Sequence, residues 1–186
     1  MHHEVMHFVY ETKYLYPQYF ENIRVLEIGS LKIGGQPSVR AHFTNCEYVG
    51  VDISEGNCVD VVCKGHEYNS NELFDVVISC ECFEHDPFYD LTITNMINHL
   101  KPHGMFIMTC AGLGRPEHGT SKAYPESSPF TTKIDGWDNF YQNRTSLDFK
   151  SVPHWNRLLR GYWGMNEATQ DLYYRGWKSN IKEHNI

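Results

Sequence analysis

Two short segments set chemistry-bearing residues a fixed distance apart. Glu27-Ile28-Gly29-Ser30 closes a β-branched run, a loop passes Gly34-Gly35, and Asp52 stands near the end of a second run, Tyr48-Val49-Gly50-Val51-Asp52-Ile53. In a doubly wound sheet two such strand ends, separated by about twenty residues, lie side by side. The glycine turn then lets a ligand approach the backbone, and the carboxylate accepts hydrogen bonds from both hydroxyls of a ribose. That pattern suits a nucleoside. A dinucleotide fits poorly, because its Gly-x-Gly-x-x-Gly turn cradles a pyrophosphate, whereas here Leu31 stands two residues after Gly29 and Glu27 precedes the turn. An acid there repels phosphate and suits an ammonium. The alternative is a sheet whose glycines only make turns and whose Asp52 merely caps a helix.

Two histidines are candidate general bases. His85 lies in Cys82-Phe83-Glu84-His85-Asp86-Pro87, after a predicted fourth strand, and His118 lies in Gly114-Arg115-Pro116-Glu117-His118-Gly119. The competing readings are a histidine that only shapes the loop before Pro87 and a solvent-exposed loop histidine. His3-Glu4-Val5-Met6-His7 matches the zinc-protease pattern literally. That site needs a buried helix and a third ligand, and a terminal stretch that frays holds metal geometry badly. No metal ligands are assigned from the sequence.

The elements that must position these residues alternate. Residues 3–20 read as one or two short helices broken at Pro17. Strands follow at 24–29, 48–53, 59–62 and 74–79, then a helix over 91–100 stopped by Lys101-Pro102-His103-Gly104, and a fifth strand at 105–110. Near-continuous apolar strands separated by helical segments predict an α/β fold, a Rossmann-like, doubly wound, mostly parallel sheet with right-handed crossovers. Residues 112–145 form a long irregular stretch expected to meet substrate. Its aromatics, Tyr124, Phe130, Trp137, Phe140 and Tyr141, are assigned mainly to the core. Short helices are expected within 146–159, and two antiparallel strands, at 160–164 and 171–178, close the sheet as an edge hairpin.

With 186 residues and no linker-like tract, the chain is read as a single domain. Its net charge of −7 provides no footprint for a phosphate backbone, so nucleic acid is not an expected partner. There is no long apolar run, and the first ten residues carry His2, His3, Glu4 and His7 where a secretory signal would be basic and then apolar. Neither membrane insertion nor export is expected, and a cytoplasmic location is. The six cysteines contain no Cys-x-x-Cys and are read as buried free thiols.

Val25-Leu26-Glu27-Ile28-Gly29-Ser30, Tyr48-Val49-Gly50-Val51-Asp52-Ile53, Phe74-Asp75-Val76-Val77-Ile78-Ser79, Glu84-His85 and Leu100-Lys101-Pro102-His103-Gly104-Met105-Phe106 occur in one order. Together they resemble the class I S-adenosylmethionine-dependent methyltransferases, particularly the small type 11 group, over residues 24–111. The resemblance implies S-adenosylmethionine as cofactor. It places Glu27, Gly29 and Ser30 at the methionine end, Asp52 on the ribose, Ile53 against adenine, Gly65 and His66 at the adenine edge, and Cys80 and Glu81 in the cofactor site. Two departures stand out: the loop Gly29-Ser30-Leu31-Lys32-Ile33-Gly34-Gly35 lacks closely spaced glycines, and Lys64 occupies a position often acidic in relatives. The expected activity is methyl transfer to a small-molecule or saccharide acceptor. Kept beside it are a non-catalytic binding or partner subunit and, disfavoured by Glu27, a dinucleotide oxidoreductase.

Overall fold

Val25, Leu26 and Ile28 put apolar side chains on both sides of one short strand, which only a sheet covered on two faces can bury. The computed structural model describes residues 2–180. That strand is β1 (Arg24–Ile28), and it is joined by β2 (Glu47–Asp52), β3 (Val61–Val62), β4 (Phe74–Cys80), β5 (Leu100–Ala111), β6 (Leu158–Asn166) and β7 (Asp171–Lys178). They form one seven-stranded sheet in the order β3-β2-β1-β4-β5-β7-β6. β1 to β5 pair in parallel, and β7 runs antiparallel to both neighbours. The expected hairpin is thus present, with β7 inserted beside β5 and β6 left at the edge.

Strand alternation divides the core in two. Leu26, Ile28, Val77, Phe106 and Met108 face helix α2 (Tyr89–His99) and an aromatic group of Phe83, Phe149, Trp155 and Tyr174. Val25, Val76, Ile78, Met105 and Ile107 face helix α1 (His3–Leu15), which buries Val5, Phe8, Val9 and Thr12 at helical spacing. Phe8 stacks on Tyr173 with ring centroids 4.8 Å apart. A third helix, α3 (Ser146–Lys150), starts with a reciprocal cap between Thr145 and Asp148.

The crossovers differ from the expected alternation. Among the connections between the parallel strands β1 to β5, only β4–β5 carries an α-helix. The β1–β2 connection has a single 3-10 turn at Val39–His42, and the β3–β4 connection has one at Gly65–Glu67. Gly34-Gly35 and Pro37 interrupt any helical run after β1, and the short β2–β3 loop leaves no room for one. The sequence read as a helix stop, Lys101-Pro102-His103-Gly104, lies inside β5, where the β4 register slips between Phe74 and Val76. Lys101 there pairs with Asp75 at 2.9 Å.

Candidate active site

The strand order reverses between β1 and β4, the place where an open α/β sheet leaves a crevice. The register sets Ile28 opposite Val51 on one side and Ser79 on the other, so three loops leave from one edge. A cavity of about 400 Å³ opens there, within the usual size range of a small-ligand site. Gly29, Ser30, Asp52, Ile53, Gly65, Cys80 and Glu81 form part of its wall, and His85 and His118 form another part.

Glu27 and His66 stand outside that wall. Alternation along β1 turns Glu27 to the Val25 side, where it is buried and accepts a 2.7 Å hydrogen bond from the Tyr48 hydroxyl. Burial pushes its carboxyl up to about 8, so it is largely neutral at pH 7. His66 packs beside Phe88, with ring centroids 4.8 Å apart. Lys64 donates to Glu67 at 3.2 Å and is likewise absent from the wall. The charge that marked a departure from the family pattern is therefore paired.

The β1 loop is shaped by close approach. Gly29 has φ +79°, and a Cβ on it would stand 2.9 Å from Cys82 Cβ, so only glycine lets the two loops meet. Asp52 Oδ2 accepts from the Leu31 N–H at 2.9 Å and fastens this loop to the end of β2. A carboxylate has about four acceptor sites, so this bond leaves Asp52 capacity for a ligand. Burial raises its carboxyl above the ordinary range. The Ser30 hydroxyl is buried and has no hydrogen-bond partner among the described residues.

Residues 112–145 cross the opposite side of the cavity, with 3-10 turns at Pro125–Ser127 and Thr131–Lys133. Phe130 and Trp137 line the wall, Tyr141 contacts both cavity histidines, and Tyr124 is exposed. None of the five loop aromatics joins either core cluster, and Trp137 alone of them is buried, which corrects the assignment of most of them to the core. Tied by its backbone to the sheet only at its ends, through Gly112 and Arg144, this stretch turns Phe130 and Trp137 to the cavity and leaves Tyr124 in solvent.

His85 and His118 meet edge to face, with centroids 5.1 Å apart. Burial, aided by His118, lowers the His85 imidazole to about 3, so it is neutral at pH 7. Glu84, fully buried, is raised well above the carboxylate range by loss of solvent. Arg144 clamps this segment: Nε donates to the Phe83 carbonyl at 3.1 Å and Nη2 to the Asp86 carbonyl at 3.2 Å. Its guanidinium also lies 3.6 Å from the Tyr89 ring centroid.

Sequence reasoning missed His2, Arg115, Asp171 and Arg144. His2, at the start of α1, reaches the cavity and pairs with Asp171 at 3.0 Å and Glu81 at 3.3 Å. Those two acids raise its imidazole to about 10, so it is cationic. Arg115 approaches Asp171 to 3.4 Å from the loop. No local pattern signals these contacts, since the partners come from α1, the β4 end, the loop and β7. His3 and His7 join no ligand cluster among the described residues. All six cysteines are free, but only Cys80 and Cys110 are buried; the other four are partly exposed because they lie in loops or at strand margins. Among the described residues, no helix is long and apolar enough to cross a membrane.

No protein-family model matches the chain, and no curated protein does. Solved structures do. The 1,6-didemethyltoxoflavin-N1-methyltransferase of Burkholderia thailandensis, with bound 1,6-didemethyltoxoflavin and S-adenosylhomocysteine, superimposes with TM-score 0.61 at 15% identity, over 95% of this chain and 79% of that one. The N-methyltransferase NodS of Bradyrhizobium japonicum WM9, in complex with S-adenosylhomocysteine, gives 0.56 at 14% identity over 94% and 86%. The YcgJ protein of Bacillus subtilis gives 0.61 at 12% identity over 97% and 100%. Sheet order and cavity position define a Rossmann-like α/β protein with its cleft at the topological switch point. More narrowly, the chain has the class I methyltransferase fold.

Proposed function

We propose that this protein transfers a methyl group from S-adenosylmethionine to a small-molecule or saccharide acceptor. The observation that carries the reading is the convergence of Gly29-Ser30, Asp52 and Cys80-Glu81 on one cavity at the switch point. S-adenosylhomocysteine is bound in two of the structures that share the fold. The orphaned Ser30 hydroxyl and the spare acceptor capacity of Asp52 fit a polar nucleoside. In this reading Asp52 accepts from the ribose hydroxyls, Ile53 and Gly65 border the base, and Gly29, Ser30, Cys80 and Glu81 surround the methionine part. The cofactor supplies an electrophilic methyl group.

The chain's own work is then positioning and exclusion of water. Loop 112–145 walls the acceptor side through Phe130 and Trp137. His85 and His118 belong to the acceptor end. An imidazole lowered to about 3 is a weak resting place for a proton, so His85 contributes a neutral lone pair and is not a store for the acceptor's proton. The net charge of −7 favours a small acceptor over a nucleic acid. Six unpaired thiols suit a reducing cytoplasm.

The test is isothermal titration with S-adenosylmethionine and S-adenosylhomocysteine, with NAD as control. Micromolar binding of both, weakened at least about tenfold by Asp52→Ala through loss of hydrogen bonds to a charged acceptor, is the expected result. Folded protein that binds neither overturns the reading; binding without turnover across an acceptor screen points to the partner-subunit alternative.

A further inference from the structure

We propose that Glu84, His85 and His118 form a binding site for a divalent transition metal of the zinc class, at the acceptor end of the cavity. One ligand atom from each lies within 4.8 Å of the others. Two imidazoles and one carboxylate are a donor set for zinc, cobalt or ferrous iron, while magnesium and calcium prefer oxygen alone.

Three features argue that this is a built site. Glu84 is fully buried, and neither carboxylate oxygen has a hydrogen-bond partner among the described residues. Fold stability gains nothing from a buried carboxyl left unpaired, and a cation resolves the cost. His85 Nδ1 is also buried without a partner among those residues. His118 Nδ1, in contrast, lies 3.0 Å from the Pro116 carbonyl. Donation there fixes the tautomer and leaves Nε2 with the free lone pair, the arrangement metal-bound histidines adopt. The Tyr141 hydroxyl donates to the same carbonyl at 3.1 Å, and Arg144 holds the chain on both sides of Glu84-His85.

The other cluster, His2 and Glu81 on the cavity wall with the fully buried Asp171, is charge-paired: His2 stands 3.3 Å from Glu81 and 3.0 Å from Asp171, Arg115 stands 3.4 Å from Asp171, and Thr109 donates to Glu81 at 2.8 Å. Both of its acids thus already face a cationic side chain. Because His85 and His118 are on the cavity wall while Glu84 lies behind it, the open coordination positions face the cavity. An ion there would hold a hydroxyl or carboxylate oxygen of the acceptor. That role rests on the methyl-transfer reading; the metal site itself does not.

The experiment strips full-length protein of metal with a chelator and titrates it with cobalt(II) and zinc(II), following cobalt absorption and heat. One equivalent should bind with a d–d spectrum of nitrogen and oxygen ligation. Glu84→Gln, which keeps shape and removes charge, and His118→Ala should each weaken it at least about a hundredfold, with folding checked by circular dichroism. His3→Ala/His7→Ala should leave binding intact, which separates the site from the amino-terminal histidines. Thiolate charge-transfer bands, loss of binding only in the His3/His7 variant, or no binding by folded protein would each overturn the proposal. S-adenosylhomocysteine titrated into the same samples keeps the two readings apart: nucleoside binding without metal binding overturns the metal site alone, and metal binding without nucleoside binding overturns the methyltransferase reading alone.

Discussion

Glu27→Gln should make the protein less sensitive to alkali. The carboxyl sits inside the sheet with the Tyr48 hydroxyl as hydrogen-bond donor, and burial raises it from 4.5 to about 8. The folded state therefore keeps a proton that the unfolded chain releases above pH 4.5, so stability falls as pH climbs through this window. At about 1.4 kcal/mol per pH unit the whole window is worth about 5 kcal/mol, of which about 2.5 kcal/mol falls between pH 5 and pH 7. The group is fully buried, so solvent screening takes little from this. Glutamine keeps an acceptor for Tyr48 and cannot ionise. Urea unfolding from about pH 5 to about pH 9 should show a difference between variant and wild type that grows with pH and levels off near pH 8. Because His2 and Glu84 titrate in both proteins, the difference isolates Glu27. A difference independent of pH would refute the burial argument.

The His2 ion pairs act at the other end of the chain's contacts. Its imidazole rises from 6.5 to about 10, so its contribution is fully present below pH 6.5 and is lost as pH climbs through 10; thermal unfolding of His2→Gln should show a deficit at the lower pH that vanishes at the higher. Gly65→Ala should cost about 1–3 kcal/mol in urea unfolding, because its Cβ would stand 2.6 Å from Thr92 Cγ2 and 2.7 Å from Ile28 Cγ2. Arg144→Met removes two charge-assisted bonds to the carbonyls of Phe83 and Asp86. It should lower stability by about 3 kcal/mol, and hydrogen exchange should show faster opening around Glu84 and His85.

Much of the fold was legible because strands buried on both faces must be apolar almost throughout. Val25-Leu26 and Val76-Val77-Ile78 therefore announce a covered parallel sheet, and Gly29 and Asp52 mark strand ends that parallel pairing brings side by side. Strand alternation would also have turned Glu27 away from the site, had its parity been counted from Val25. The loops were not legible in the same way. Gly34-Gly35 and Pro37 speak locally against a helix in 29–46, but nothing local says that Lys101 to Gly104 bulge within a strand or that Phe130 and Trp137 face a cavity. Those outcomes depend on what remains uncovered once the sheet has formed. The meeting of His2 with Asp171, and of Glu84 with His118, joins residues far apart in the chain. Sequence by itself determined which segments are strands and which ends carry Gly29 and Asp52, because backbone pairing and burial read a pattern of a few neighbouring residues. Only the tertiary structure decided which charged and titratable side chains share the cavity, because that follows from loop packing, where partners are chosen by position in space.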